Sequence, residues 1–283
     1  VCGTVGFKPT WGRVSRHGVM DLAQSLDHVG PLTRSAKDAG IVLQAIAGTD
    51  PNDPTTLPHD VPDMLSAVGQ GVRGLKIGWD DGYSTVDLEP SYAQAIEDAM
   101  KVMEGLGAII VPVKMPEFLR EAVAVWQVIC ASEAAVAHIE TYPSRADEYG
   151  VFLRAWLNNG TSYTGVEYAE AHNLRLALNG GLRKTMRDVD VLASAPTSRA
   201  GYPVTHDDLF NMDPDERDPW SGRFTVPTDF AGLPTINLPC GLDVNGLPVG
   251  IQFAGHHLSE PMLIGIGDSF EGATDFHNLH PPV

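Results

Sequence analysis

Between Leu75 and Val113 the chain carries one continuous pattern that any fold must accommodate. Leu75-Lys76-Ile77-Gly78-Trp79 alternates in polarity and predicts a strand. Pro90 then falls where a helix tolerates proline, in a first turn whose N–H groups have no intrahelical partner. Tyr92, Ile96, Ala99, Met103 and Leu106 recur at helical spacing and form a single apolar stripe. Gly107 stops the helix, and Ala108 to Val113 predicts a short buried strand. A strand–helix–strand unit of this kind is the building block of a sheet covered by helices.

The remaining segments extend that unit. Ser35-Ala36-Lys37-Asp38 is a helix start, leading into an apolar run from Ala39 to Ala47 that stops at Gly48. The stretch 49–62 is a polar loop punctuated by proline. Helical patterns cover 117–140, 147–158 and 164–187, joined by Pro143 and by Gly160. Val189 to Ala193 is a strand. Leu233 to Gly241 and Leu247 to Gly255 flank Asn245-Gly246, a strong hairpin signal. Ser259 to Phe270 closes the chain as a helix. Three glycines and a proline crowd the apolar opening residues, which predicts a tightly packed turn region there. No repeat or linker-like break divides the 283 residues. The expectation is one α/β domain, a mixed β-sheet flanked by helices on both faces.

Composition excludes several classes. Lys and Arg total 19 against 36 Asp and Glu, a net charge of −17 that repels phosphate backbones and argues against a nucleic-acid partner. No apolar run reaches the roughly 18 to 20 residues that a helical membrane span needs. Cys2, Cys130 and Cys240 are odd in number and far apart, which fits buried thiols in a reducing cytoplasm better than a disulfide or zinc framework.

Gly3-Thr4-Val5-Gly6-Phe7-Lys8-Pro9-Thr10 has the wrong spacing for a phosphate loop, and Pro9 removes a donor beside the lysine. His256, His257 and Glu260, and likewise Asp275, His277 and His280, lack the helical pairing of a metal site, and read as surface or capping residues. Ser15, Ser25 and Ser194 are formal nucleophiles, but no Gly-x-Ser-x-Gly elbow surrounds any of them. No cofactor or metal is expected. Trp126, Phe152 and Trp156, on helical stretches with Glu133 and Arg154, form either core packing or a hydrophobic substrate wall.

The opening run Cys2-Gly3-Thr4-Val5-Gly6-Phe7-Lys8-Pro9-Thr10-Trp11-Gly12-Arg13-Val14-Ser15 resembles the signature segment of the amidase signature family. Further segments are similar to that family in its order. They are Ser25-Leu26-Asp27 through Gly30-Pro31, Ala47-Gly48-Thr49-Asp50-Pro51-Asn52-Asp53, and Val189-Asp190-Val191-Leu192 with Pro196-Thr197. Phe224-Thr225-Val226-Pro227 with Ala231-Gly232-Leu233-Pro234 and Pro239-Cys240-Gly241, and then Gly246 to Gln252, complete the series.

The resemblance implies hydrolysis of an amide, or a related carbamate or ester, through a Ser–cis-Ser–Lys triad. A buried lysine acts as base through a bridging serine on the nucleophile. Backbone N–H groups of a Gly-Gly-Ser loop form an oxyanion hole, worth on the order of 3 kcal/mol per donor. In the family these parts precede the Cys-Gly segment. The resemblance therefore implies that residues 1–283 are the C-terminal part of a single amidase signature domain, its fold incomplete, inactive alone and without a catalytic residue of its own. Lys8 matches the lysine of the Lys-Pro-Thr turn, not the catalytic one. Trp126, Cys130, Trp156 and Thr197 are the candidate substrate-binding residues. The implied partners are a small-molecule amide, and either the N-terminal segment as a separate chain or a second copy. A non-catalytic scaffold or assembly role is one alternative. The A subunit of a glutamine-dependent tRNA amidotransferase is another, disfavoured because Gly222, followed by Arg223, stands where those subunits carry an Asp.

Overall fold

A computed structural model describes residues 2–201, 204–206 and 218–280; Val1 of the opening run lies outside them. The described residues form a mixed seven-stranded sheet. Its strands are β1 (Val5–Lys8), β2 (Leu32–Thr33), β3 (Lys76–Trp79), β4 (Ile109–Pro112), β5 (Val191–Ser194), β6 (Thr235–Leu242) and β7 (Pro248–Gly255). They lie in the order β2-β1-β6-β7-β5-β3-β4. β3 runs parallel to β4 and to β5, and the other pairs are antiparallel.

The helices are α1 (Ala36–Ile46), α2 (Asp81–Ser84), α3 (Pro90–Gly105), α4 (Leu119–Ala124), α5 (Trp126–Ala137), α6 (Val151–Ser162), α7 (Gly165–Thr185), α8 (Val226–Phe230) and α9 (Glu260–Gly272). α1 starts where its sequence signal says, with the Ser35 hydroxyl accepting from the Asp38 N–H. α3 has Pro90 in its first turn, capped by the Glu89 carboxylate, and buries Tyr92, Ile96, Ala99 and Met103. Among the described residues no helix is long and apolar enough to cross a membrane.

Two apolar cores sandwich the sheet. α1, α3 and α9 cover one face, where Ile96, Met103, Leu263 and Phe270 meet Ile77, Val191, Ile251 and Phe253. α4 to α8 cover the other, where Trp156, Leu157, Leu178, Val226 and Phe230 meet Leu192 and Ala254. β5 shows the period-2 logic directly, with Val191 and Ala193 facing the first core and Leu192 the second.

Several sequence expectations shift. β4 is not buried: it pairs only with β3, and Ile109 is 50% exposed, because an edge strand has a neighbour on one side only. The opening residues first form β1 between β2 and β6; the tightly packed turn comes after it, closed by the Arg13 N–H on Thr10 O, with Gly12 at φ 80° and its Cβ position 2.4 Å from Thr55 O. The pattern 117–140 divides at Val125, which caps α4 and starts α5. Gly160 does not join two helices. It lies inside α6, buried against α5, where a Cβ would fall 1.9 Å from the carbonyl oxygen of Ala131. That glycine marks a close approach of two backbones. The hairpin forms as expected, its loop closed by the Asp243 N–H on Leu247 O and by Gly246 at φ 75°.

Candidate active-site cavity

A cavity of about 310 Å³ opens on the face covered by α4 to α8. Its wall is assembled from segments far apart in sequence. β1 contributes Lys8, α4 contributes Val123 and Ala124, α5 contributes Trp126 and Gln127, and α6 contributes Trp156. The 3-10 turn Pro219–Gly222 supplies its two ends, the α8 region supplies Thr225 to Asp229 except Pro227, and the neighbouring strands supply Thr235, Asn237 and Gln252.

The aromatic side of this wall is held by ring packing. Trp126 and Trp156 meet at 5.7 Å between centroids with planes at 52°, and Phe152 stacks behind Trp156 at 5.9 Å. Such offset and tilted pairs are favoured by the ring quadrupoles. The division between α4 and α5 at Val125 places Val123 and Ala124 beside Trp126 on the same wall.

The polar side centres on Asp229. Its Oδ2 lies 3.4 Å from the Trp126 indole nitrogen, and its Oδ1 lies 3.2 Å from His28 Nδ1. His28 Nδ1 is also 2.5 Å from Leu26 O. Burial pulls the His28 pKa down despite the Asp229 hydrogen bond, which favours the neutral imidazole. The Lys8 ammonium donates to Leu233 O. Burial lowers its pKa to about 8, while Asp229 and Glu260 pull the other way. Glu260 is itself buried and accepts the Thr10 N–H at 2.9 Å. Gln252 Nε2 donates to Phe224 O at 3.0 Å, fixing the β7 side chain against the turn before α8.

Of the four candidate binding residues, the structure brings Trp126 and Trp156 to the cavity. Cys130 sits one turn deeper on α5, almost fully buried, beside an adjoining cavity of about 270 Å³ shared with Lys8, His28, Asp229 and Trp126. Thr197 follows β5, half-buried, and does not line the cavity. Gly222 does line it, whereas Arg223 turns its guanidinium onto Val86 O and over the Phe224 ring.

The other candidates have structural partners. Ser15 donates to Asp50 and Ser194 to Ala195 O. Ser25 is gripped by Glu133, which accepts both its N–H and its hydroxyl at 2.7 Å, and by Arg175 on its hydroxyl and carbonyl oxygens at 2.9 Å. Tyr168 completes that clamp on Glu133, at the side of a larger, open depression. His256 and His257 meet the backbone oxygens of Val189 and Ala231. Among the described residues no group of three His, Cys, Asp or Glu could hold a metal.

Sequence reasoning missed Lys8, Thr228, Asp229, Asn237 and Gln252 as wall residues. The available signal was their position: each lies within or next to a segment that carries the family resemblance.

Comparison with known proteins agrees with this geometry. The family model described as Amidase matches residues 1–264. A putative amidase, AmiD, of Mycobacterium tuberculosis is 38% identical over 286 residues, covering 100% of this chain and 59% of its own length. The A subunit of a glutamyl-tRNA(Gln) amidotransferase from Halalkalibacterium halodurans is 34% identical over 309 residues, covering 100% of this chain and 62% of its own. The crystal structure of the same type of protein from Thermotoga maritima superposes with a TM-score of 0.79 at 30% identity, over 95% of this chain and 58% of that one. The chain thus spans about three-fifths of the length of these relatives. With a mixed sheet of the expected kind, three of its signature segments meeting at one cavity and the family model matching residues 1–264, the chain belongs to the amidase family, the amidase signature enzymes.

Proposed function

We propose that this chain supplies the substrate pocket and supporting scaffold of a hydrolase that cleaves the C–N bond of a small carboxamide, or of a related carbamate or ester. The observation that carries this reading is convergence. Lys8 of the Lys-Pro-Thr turn, Thr225 and Val226 of the Phe-Thr-Val-Pro segment, and Gln252 of the last segment line one cavity, although about 240 residues separate the first from the last. The nucleophile, bridging serine and base are those of the Ser–cis-Ser–Lys triad, carried by a segment that residues 1–283 do not contain. Trp126 and Trp156 are substrate-wall residues, and Cys130 supports them from behind. Thr197 is the weakest member of the set, because its position is off the wall.

A second reading, the A subunit of a tRNA amidotransferase, is favoured by the 34% identity to such subunits over the whole chain. Against it stands the cavity itself, where Gly222 offers no carboxylate for an amino group. A reducing cytoplasm fits both readings, and neither requires nucleic acid to touch this acidic chain directly.

The test is hydrolysis of 4-nitroacetanilide. The 283-residue chain alone is expected to show none that depends on a serine. Steady hydrolysis by the chain alone, abolished by replacing one of its own serines, would sink the assignment of the triad. Reading the encoded sequence upstream of Val1 provides an independent check, since a Gly-Gly-Ser about six to eight residues before Cys2 is expected from the nucleophile logic. Glutaminase activity with co-purifying subunits would favour the second reading.

A further inference from the structure

The cavity of about 310 Å³ and the adjoining one of about 270 Å³ are neighbours, and among the described residues three line both: Lys8, Trp126 and Asp229. A side chain that faces two adjoining cavities is part of the wall between them. Two of the three are tied back to the scaffold. Lys8 donates to Leu233 O, and Asp229 is held by His28 Nδ1 at 3.2 Å. Trp126 supplies most of the bulk. Its ring stands against Trp156 at 5.7 Å between centroids, and its indole nitrogen lies 3.4 Å from Asp229 Oδ2. Trp156 is 3% exposed, as a core tryptophan is, whereas Trp126 is only half-buried and keeps surface toward both cavities. The two sides offer the same chemistry, with Val123, Pro219 and Val226 in the first cavity and Leu22, Ala23 and Leu26 in the second. Each cavity alone stands at the small end of ligand pockets, which run from about 300 to about 1,000 Å³.

We infer that Trp126 is a specificity-determining residue that divides one elongated apolar pocket into two chambers and limits the bound body to the size of one ring. The mechanism is steric. A single ring that enters the first chamber packs against the indole and stops there, gaining burial and an aromatic contact. A body with a second ring in line has to displace the indole, which breaks its contacts with Trp156 and Asp229. A smaller side chain at position 126 removes the partition and nearly doubles the space open to a ligand. Trp126 is the first residue of α5, directly after the division at Val125, so replacing it does not interrupt a helix interior. Lys8 and Asp229 flank the passage with opposite charges, which suits a neutral body. The inference rests on the hydrolase reading for the bond that is cleaved, whereas the size limit is a property of the two cavities alone.

The experiment is calorimetric titration of the 283-residue chain with benzyl alcohol and 4-biphenylmethanol, neutral probes that differ by one ring in line. The parent is expected to bind benzyl alcohol about tenfold tighter than 4-biphenylmethanol, the reverse of their hydrophobicity. Trp126→Ala should weaken benzyl alcohol by about three- to fivefold, because its chamber loses a wall. The same variant should tighten 4-biphenylmethanol by about tenfold, because the second ring gains a buried site. Trp126→Leu should act in the same direction by smaller factors, and replaces the alanine variant if that one loses its near-ultraviolet circular dichroism. A parent that binds the two probes equally, a parent that does not bind benzyl alcohol, or a folded variant that keeps the parent's preference would each overturn the partition. A longer protein that carries the chain separates this result from the hydrolase reading. Inverted probe preference in its Trp126→Ala variant, with no amide hydrolysis by the parent, would remove the hydrolase reading and leave the partition standing. Hydrolysis whose ratio of KM values for benzamide and 4-phenylbenzamide ignores Trp126→Ala would do the reverse.

Discussion

Gly160→Ala sets two effects against each other on one helix. Alanine is the better helix former, by about 1 kcal/mol in a helix interior. Against that, the new Cβ would stand 1.9 Å from the Ala131 carbonyl oxygen and 2.5 Å from its carbon. A comfortable carbon–oxygen contact begins near about 3.3 Å, so α6 must retreat from α5 by roughly 1.4 Å. The obstacle is backbone in the middle of a helix, which cannot swing aside as a side chain can. Overpacking typically costs about 1–3 kcal/mol, and so close an approach to backbone belongs at the upper end, so the net loss is expected at about 2 kcal/mol after the propensity gain. Gly105→Ala is the internal control. It lies in α3 with nothing within 4 Å of the added methyl, and should stabilise by about 0.5–1 kcal/mol. Urea unfolding of the two variants gives the comparison, read as a shift in midpoint at constant slope. Because Trp126 and Trp156 meet across the two helices being forced apart, Gly160→Ala should also shift the tryptophan fluorescence, whereas Gly105→Ala should not. A Gly160→Ala protein as stable as the parent would refute the close-approach reading of this glycine.

Three further outcomes follow from the charged groups. Burial raises the Glu271 pKa to about 7 while its carboxylate accepts the first N–H of α1, so the folded state holds the proton more tightly than the unfolded state. Stability from this group is therefore full below the unfolded value near 4.5 and falls as pH rises toward 7; Glu271→Gln should flatten that part of the stability profile. Asp53 shows the opposite sign: hydrogen bonds from Arg16 N–H and Thr55 outweigh its burial and lower its pKa to about 2. Its contribution should be present above about pH 4 and vanish toward about pH 2, and Asp53→Asn should cost about 2 kcal/mol at about pH 7 by thermal or urea unfolding. Lys8 should titrate near 8 by NMR of its ε-methylene group; a midpoint at the ordinary 10.5 would show that its ammonium is solvated and not part of the cavity floor.

The helices and strands were legible where burial follows a single period. The stripe of α3 is visible because Tyr92, Ile96 and Met103 face one core, and α1 is visible because Ser35 caps it. Periodicity could not show that β4 is an edge, since Ile109 and Ile110 are as apolar as a central strand and only the pairing order exposes one of them. Gly160 failed for a related reason. A glycine inside a helical pattern is ambiguous between a break and a close packing contact, and only the position of Ala131 in a different helix decides it.

The cavity was the hardest part to read, and the reason is topological. β1 and β6 are neighbours, so Gly6 pairs with Asn237 across more than 200 residues, and Asn237 pairs in turn with Gln252. Each of these polar residues looks ordinary within its own segment. Only the antiparallel register carries Asn237 and Gln252 to the same place on the sheet, where α8 then sets Asp229 above them beside Lys8. The aromatic wall could be suspected because tryptophan is conspicuous, but whether Trp126 and Trp156 pack into a core or line a cavity is decided by where α4 to α6 meet the Pro219–Gly222 turn. If Trp126 is a wall residue, replacing it by Phe must cost ligand binding more than it costs folding, since a ring is kept against Trp156 while the surface that faces the cavity changes. A core tryptophan with no ligand role would give the reverse ratio. The measurement therefore separates the two meanings that the sequence left open for this residue.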